Sequence, residues 1–177
     1  MLGSLDLIVT CARHFEDETK EELQTILEEL GDSDPQITIT EFSGILTVDT
    51  TVNTLEIVKK IYEKLEDEPW TIRYIMRAIP VFQTVKTDVE AISDAALEQI
   101  QKMKPDETYR ITIEKRNSGI SSSEIISKIA DKIKNKVSLE KYDWIILVQV
   151  LGGISGVSIL KDSDVLSVEK TKRKSFD

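Results

Sequence analysis

The sequence predicts an α+β protein made of two units in series. Three observations lead to this. Over the first 79 residues, short apolar or alternating runs and amphipathic runs follow one another as strand, helix, strand, strand, helix, strand. Over the rest, a helix leads into strand-like runs that frame a second helix. Charge also divides along the chain: residues 1–70 carry 17 acidic and 5 basic residues, and residues 71–177 carry 15 and 18.

Leu5–Cys11 is a short apolar run and reads as the first strand. Leu23, Ile26, Leu27 and Leu30 follow at helical spacing, with Glu16, Asp17, Glu18, Glu21, Glu22, Glu28 and Glu29 on the other faces. Gly31 stops this helix, with Pro35 beyond it. Gln36–Phe42 alternates, Ser43-Gly44 marks a turn, and Ile45–Val48 returns as the second arm of a hairpin. Asn53–Leu65 is helical, its apolar side formed by Leu55, Val58, Ile61, Tyr62 and Leu65. Trp70–Ile79 is strand-like, and Pro80 argues against carrying a central strand through that position. The order is that of the split βαβ, ferredoxin-like fold, βαββαβ. A boundary is expected near residues 79–87, giving a first domain over 1–80.

The second half opens with a helix over Asp88–Met103, its stripe Val89, Ile92, Ala96, Ile100 and Met103 and its N-cap Asp88. Lys104-Pro105-Asp106 ends it, and Tyr109–Glu114 reads as a strand. Ser121 and Glu124 have capping-box spacing and open a helix faced by Ile125, Ile126, Ile129, Ile133 and Val137. Lys128, Lys132 and Lys136 would form a row beside that face. Trp144–Val150 is a buried strand, Gly152-Gly153 a turn, and Gly156–Leu160 pairs back. Val165–Val168 adds a short edge segment to this domain, which is expected over 81–169. Residues 170–177 form a mobile basic tail.

The catalytic inventory is poor. Cys11 and His14 are the single cysteine and the single histidine, as C-x-x-H. As a nucleophile and base they lack an orienting third group, and as metal ligands they are two short of a closed zinc site. Gly152–Gly156 lacks the Lys-Ser/Thr and the following helix of a phosphate loop, and no G-x-G-x-x-G opens a helix. No catalytic residue, metal or cofactor is expected, and the protein is read as not an enzyme. One cysteine rules out an internal disulfide and suits a cytoplasmic location. The first residues carry no basic, apolar leader, and no run reaches the roughly 20 apolar residues of a membrane helix.

The basic residues carry the functional reading. Arg73 and Arg77 lie four apart on the strand-like run, so alternation puts both on one face, and Lys86 follows in the connector. Lys115, Arg116, Asn117 and Ser118 sit between a strand and a helix start, where backbone N–H groups favour a phosphate. Together with the lysine row these suit an RNA backbone. Aromatics at 6% make base stacking the less obvious mode.

TYRITIEKRNSGISSSEIISKIADKI (108–133), LEKYDWIILVQVLGGISGVSIL (139–160) and DVLSVEK (164–170) resemble the THUMP domain, an RNA-binding module of tRNA-modifying systems. EKR-x-x-x-I-S-S-x-E-I-I and G-V-S-I-L carry the likeness, and RYIMRAIPVFQTVKTDVEAI (73–92) is similar to the junction of the stand-alone archaeal and eukaryotic group that serves as tRNA adaptor for cytidine acetylation. The resemblance implies a ferredoxin-like domain followed by an α/β THUMP domain. It also implies binding of the tRNA acceptor end, a separate tRNA acetyltransferase as partner, and no role for DNA or membrane. Arg77, Lys86, Lys115, Arg116 and Asn117 are the RNA contacts that it implies. Two other readings stay open: chemistry at Cys11 and His14, and an assembly protein whose acidic helix is an interaction face.

Overall fold

A computed structural model describes residues 5–174. The described residues form two compact units, the first from 5–80 and 164–174 and the second from 81–163.

The first unit is built on a five-stranded antiparallel sheet. β1 (Leu7–Thr10), β2 (Gln36–Ile39), β3 (Ile45–Asp49), β4 (Arg77–Pro80) and β9 (Leu166–Ser167) lie in the order β2-β3-β1-β4-β9. Leu7 faces Val48 on one side and Pro80 on the other, and Thr10 faces Ile45 and Arg77. The order β2-β3-β1-β4, with α1 (Glu16–Glu29) after β1 and α2 (Thr54–Asp67) after β3, is the ferredoxin-like arrangement. Leu23, Ile26 and Leu27 of α1 and Ile57, Val58, Ile61 and Leu65 of α2 bury against Leu7, Val9, Leu46 and Val48. Leu55 falls outside this face and is exposed, with Ile57 taking the core position instead.

Local chemistry sets the helix ends. Gly31, at φ 102°, donates to Glu28 O and Asp32 N donates to Leu27 O, which closes α1 in a Schellman motif. The Asn53 side chain accepts from Leu55 N and caps α2.

Trp70–Ile79 is not one strand. Pro69–Thr71 makes a 3-10 turn, and β4 starts only at Arg77. The reason is Glu22: its carboxylate accepts from the N–H groups of Arg73, Tyr74 and Ile75 at 2.9, 3.2 and 3.0 Å, so these groups cannot join a ladder. Residues beyond Asp164 also depart from expectation. Leu166–Ser167 pairs with Arg77 and Ala78 and so belongs to the first sheet. Val168–Lys174 is helix α5, with Val168 in the first core and Lys172 Nζ donating to Ile72 O. The tail expected to be mobile is thus helical as far as Lys174, and residues 175–177 lie outside the described residues.

The second unit carries a four-stranded sheet. β5 (Gln83–Lys86), β6 (Tyr109–Arg116), β7 (Trp144–Leu151) and β8 (Ile154–Leu160) lie in the order β5-β8-β7-β6. β6 and β7 are parallel and joined through α4 (Ser122–Ala130), and the other pairs are antiparallel. α4 and α3 (Val89–Leu97) cover one face, burying Ile92, Ala96, Ile125 and Ile129 against Ile146, Val148, Val157 and Ile159. Asp88 caps α3 by accepting from Ala91 N, and Ser121 caps α4 by accepting from Glu124 N. Gly152, at φ 60°, and Gly153 form the two-residue β7–β8 turn, the positive φ falling at the first position as in a type II′ turn.

Three expectations for this unit change. Residues 83–86 are a strand and not a connector, paired with β8 from Gln83↔Val157 to Lys86↔Ile154. α3 ends at Leu97, and Ile100–Lys102 is a separate 3-10 turn. α4 ends at Ala130, so Lys128, Lys132 and Lys136 do not share one helical row. What wins there is the open edge of β6: Tyr109 N donates to Lys136 O and accepts Ser138 N at its own carbonyl. Asn135 Nδ2 pins the same segment to Lys104 O and Glu107 O. Lys128 instead forms an ion pair with Glu90 of α3.

No helix of the described residues is long and apolar enough to cross a membrane.

Candidate nucleic-acid interface

β6 runs out at Arg116, and α4 starts at Ser122. The five residues between them turn the chain from sheet to helix. Asn117 takes the left-handed conformation at φ 53°, which asparagine tolerates better than most residues. Ser118 Oγ accepts from Ile120 N at 3.2 Å, and Lys115 Nζ donates to Ile120 O at 2.8 Å. Gly152 N donates to Arg116 O at 2.9 Å, which ties the β7–β8 turn to this corner.

Lys115 is exposed, whereas Arg116 is half-buried. Arg116 Nη1 donates to Gln149 Oε1 at 3.0 Å, and Gln149 Nε2 donates to the Glu114 carboxylate. Gln149 is only 1% exposed, so a buried amide fixes the guanidinium at the end of the strand. Gln149 was not foreseen as part of the site. Its signal is a lone amide inside the apolar run WIILVQVL.

The register brings in a further cation. Arg116 faces Leu151, Leu151 faces Ile154, and Ile154 faces Lys86. Lys86 and Arg116 therefore end the same transverse row on the two edge strands, three strand spacings or about 14 Å apart. Lys86 is exposed, and Thr87 beside it donates from its N to Gly153 O. One end of the sheet thus gathers Lys86, Lys115, Arg116, Asn117 and Ser118 with the N-terminus of α4. That end is cationic and rich in donors, which suits an anion.

Arg73 and Arg77 belong to the first unit. Arg73 is exposed on the segment held by Glu22, and Arg77 is half-buried between Thr10 and Ser167. They do not share a strand. Beside Arg73, Tyr74 stacks on Phe15 with ring centroids 5.6 Å apart, a pairing that sequence spacing could not reveal.

Thr19, Glu16 and Glu18 surround Cys11. Its thiol is buried, and burial pushes its pKa up, opposite to what a nucleophile needs. A cleft of about 480 Å³ beside α1 is lined in part by Glu18, Glu21, Glu22, Glu29 and Glu68, so it suits no anion. Among the described residues no group of three or more His, Cys, Asp or Glu side chains is placed to hold a metal ion.

Residues 86–160 match the family model of the THUMP domain. This part of the chain resembles a THUMP domain. It covers β8, β7, β6, both helices and the basic corner, and begins at Lys86. A comparison with curated proteins finds no match. Among solved structures, PH1313 from Pyrococcus horikoshii Ot3 superposes with a TM-score of 0.63 at 18% identity, over 89% of this chain and 55% of that one. TrmN from Thermus thermophilus gives 0.59 at 12% identity, over 88% and 45%. A 4-thiouridine synthetase solved as an RNA complex with bound ATP gives 0.51 at 15%, over 89% and 42%. These likenesses extend the shared fold across both units. The chain spans about half the length of the proteins it resembles.

Proposed function

We propose that the protein is a non-catalytic tRNA-binding adaptor. It grips the acceptor end and presents the tRNA to a separate modifying enzyme, a cytidine acetyltransferase. The observation that carries this reading is the cationic end of the THUMP-like sheet, where Lys115 and Arg116 adjoin the capped start of α4 and Lys86 ends the same row on the opposite edge strand. Phosphates would sit against Lys115 and the Arg116 guanidinium, with Asn117 and Ser118 shaping the backbone beneath them. The neighbour solved with RNA supports an RNA ligand. The domains are 1–80 with a ferredoxin-like fold, completed by the segment from 164, and 81–163 with the THUMP fold. The protein works in the cytoplasm.

A tRNA-binding titration against salt tests the proposal. Lys115→Ala with Arg116→Ala should weaken binding and reduce the log–log salt slope by about 1.4 to 1.8, the contribution of two neutralised phosphates. It should weaken binding more than neutralising Lys170, Lys172, Arg173 and Lys174 together. The reverse order would move the site to the C-terminal segment, and no binding at low salt would sink the proposal.

The acidic face of α1 favours a second role for the first unit. Seven of its fourteen residues are carboxylates and Lys20 is its one cation, so it suits a basic surface on the partner enzyme better than it suits RNA phosphate.

A further inference from the structure

We propose that the Phe15–Tyr74 pair of the first unit is a stacking platform for an unpaired RNA base, a second RNA-binding element that contacts bases where the basic corner contacts phosphates. This rests on the RNA-binding reading above.

Phe15 is exposed, Tyr74 is half-buried, and neither is loose. Phe15 is 46% exposed at the mouth of α1, and Tyr74 stacks on it at an interplanar angle of 29°. The backbone that carries each ring is held in place. Three successive N–H groups, of Arg73, Tyr74 and Ile75, converge on the Glu22 carboxylate and fix the backbone that carries Tyr74. Phe15 O accepts both Thr19 N and Thr19 Oγ1, and the left-handed His14 (φ 78°) turns the chain immediately before it. Met76, also 46% exposed, follows two residues after Tyr74, and its N donates to Thr10 O at the end of β1. Aromatics held this firmly lose little freedom when a third ring stacks on them.

The charges around the pair distinguish a base from other occupants. Arg13 and Arg73 are exposed on the two segments that carry the rings. Arg13 spends one donor, Nε, on Ser43 Oγ. A planar guanidinium stacks on nucleobases as well as attracting phosphate. Two of the nearby carboxylates are consumed internally, Glu16 by Gly44 N and Glu22 by the 73–75 backbone. Asp17 and Glu18 remain, with Glu21, Glu29 and Glu68 in the cleft that Tyr74 also lines, and they disfavour a phosphate running along α1. What fits is the face of an unpaired base, with its phosphate turned away from α1 toward the arginines. A paired base offers no free face, so the platform selects single-stranded nucleotides.

The test is binding of the full chain to a tRNA transcript and to two RNA hairpins, one with an unpaired 3′ overhang and one blunt. Phe15→Ala should weaken the transcript and the overhang hairpin about five- to a hundredfold, leave the blunt hairpin unchanged, and leave the salt slope unchanged. Phe15→Trp should restore binding. 2-Aminopurine in the overhang should be quenched by the wild type and not by Phe15→Ala. Thermal melts of both variants check that α1 stays folded. Wild-type affinity in Phe15→Ala overturns the platform, as does an equal loss on the blunt hairpin. If the wild type binds RNA and Lys115→Ala/Arg116→Ala weakens it while Phe15→Ala does not, only the platform fails. If the wild type binds no RNA, the adaptor reading fails with it.

Discussion

The two units each turn from a strand into a helix through a left-handed non-glycine residue, yet the two corners are charged in opposite ways. After β1 the chain passes through His14 (φ 78°) into α1, which has no side-chain N-cap and carries Glu16, Asp17 and Glu18 in its first turn. After β6 it passes through Asn117 (φ 53°) into α4, which is capped by Ser121 and has Glu124 as its first-turn acid. At α1 the protein's own carboxylates answer the positive helix end. At α4 a neutral hydroxyl caps one N–H, and Lys115 and Arg116 stand at the approach. The comparison teaches that a strand-to-helix corner is not in itself an anion site. The residues flanking it decide whether its field is already neutralised or left for a ligand.

The largest effect should come from the glycine that lets the first corner close. Gly44 has φ 74°, and a Cβ there would lie 2.5 Å from Cys11 O, a backbone atom that cannot swing away. Gly44 N also donates to Glu16, and Gly44 O accepts from Cys11 N. Gly44→Ala should therefore destabilise by about 3 kcal/mol, combining left-handed strain with a backbone clash. Equilibrium denaturation measures it, and a loss below about 1 kcal/mol would show that the corner can shift. The matching glycine of the second unit should cost less. A Cβ on Gly156 meets Val81 side-chain atoms at 2.9 and 3.0 Å, and a side chain can change rotamer. Gly156→Ala should cost about 1 to 3 kcal/mol, as overpacking does.

Capping sharpens the contrast further. Ser121→Ala removes the acceptor for Glu124 N and should cost about 1 kcal/mol. At α1 there is no such bond to lose, so Phe15→Ala should change stability less than Ser121→Ala does. Thermal melts of the two variants check the order, and the opposite order would show that the Phe15–Tyr74 stack is structural first.

How legible these corners were follows from the range of the forces. Periodicity placed α1, α2 and the β7–β8 hairpin, because Leu23, Ile26 and Leu27 and the Gly152-Gly153 turn act within a few residues of themselves. Asp88 and Ser121 were legible as caps for the same reason. β5 was not legible, since QTVK has one apolar residue and becomes a strand only by pairing with β8, some 70 residues on. The end of α4 was misread because Tyr109, far upstream, captures Lys136 and Ser138. Arg73 was placed on a strand that a distant carboxylate, Glu22, prevents. At the site, Lys115–Ser118 were readable as a strand-to-helix junction. Their neighbours Gln149 and Lys86 needed the register, and the Phe15–Tyr74 pair needed the tertiary fold.

The smallest effect is the pH dependence, and it too should differ between the units. Hydrogen bonds from backbone N–H groups, Gly44 N among them, hold the Glu16 carboxyl below its usual range, and the Thr50 hydroxyl does the same for Asp32. Both lie in the first unit, whereas Glu107, lowered first by Lys104 N, lies in the second. A carboxyl with a depressed folded pKa binds its proton more readily when unfolded. Its stabilisation is complete above the ordinary carboxylate range and fades as pH falls through the folded value. Asp49 runs the other way. A hydrogen bond with Asp6 raises its pKa, so that contact helps most in acid and is lost as pH rises through the raised value. Denaturation midpoints between pH 7 and pH 3 should fall on the acid side for the wild type. Glu16→Gln should begin lower at pH 7 and fall less steeply, because it no longer has that proton to bind. An acid limb as steep as that of the wild type would show that Glu16 does not neutralise the first corner, and the charge contrast with Lys115 and Arg116 would then need another source.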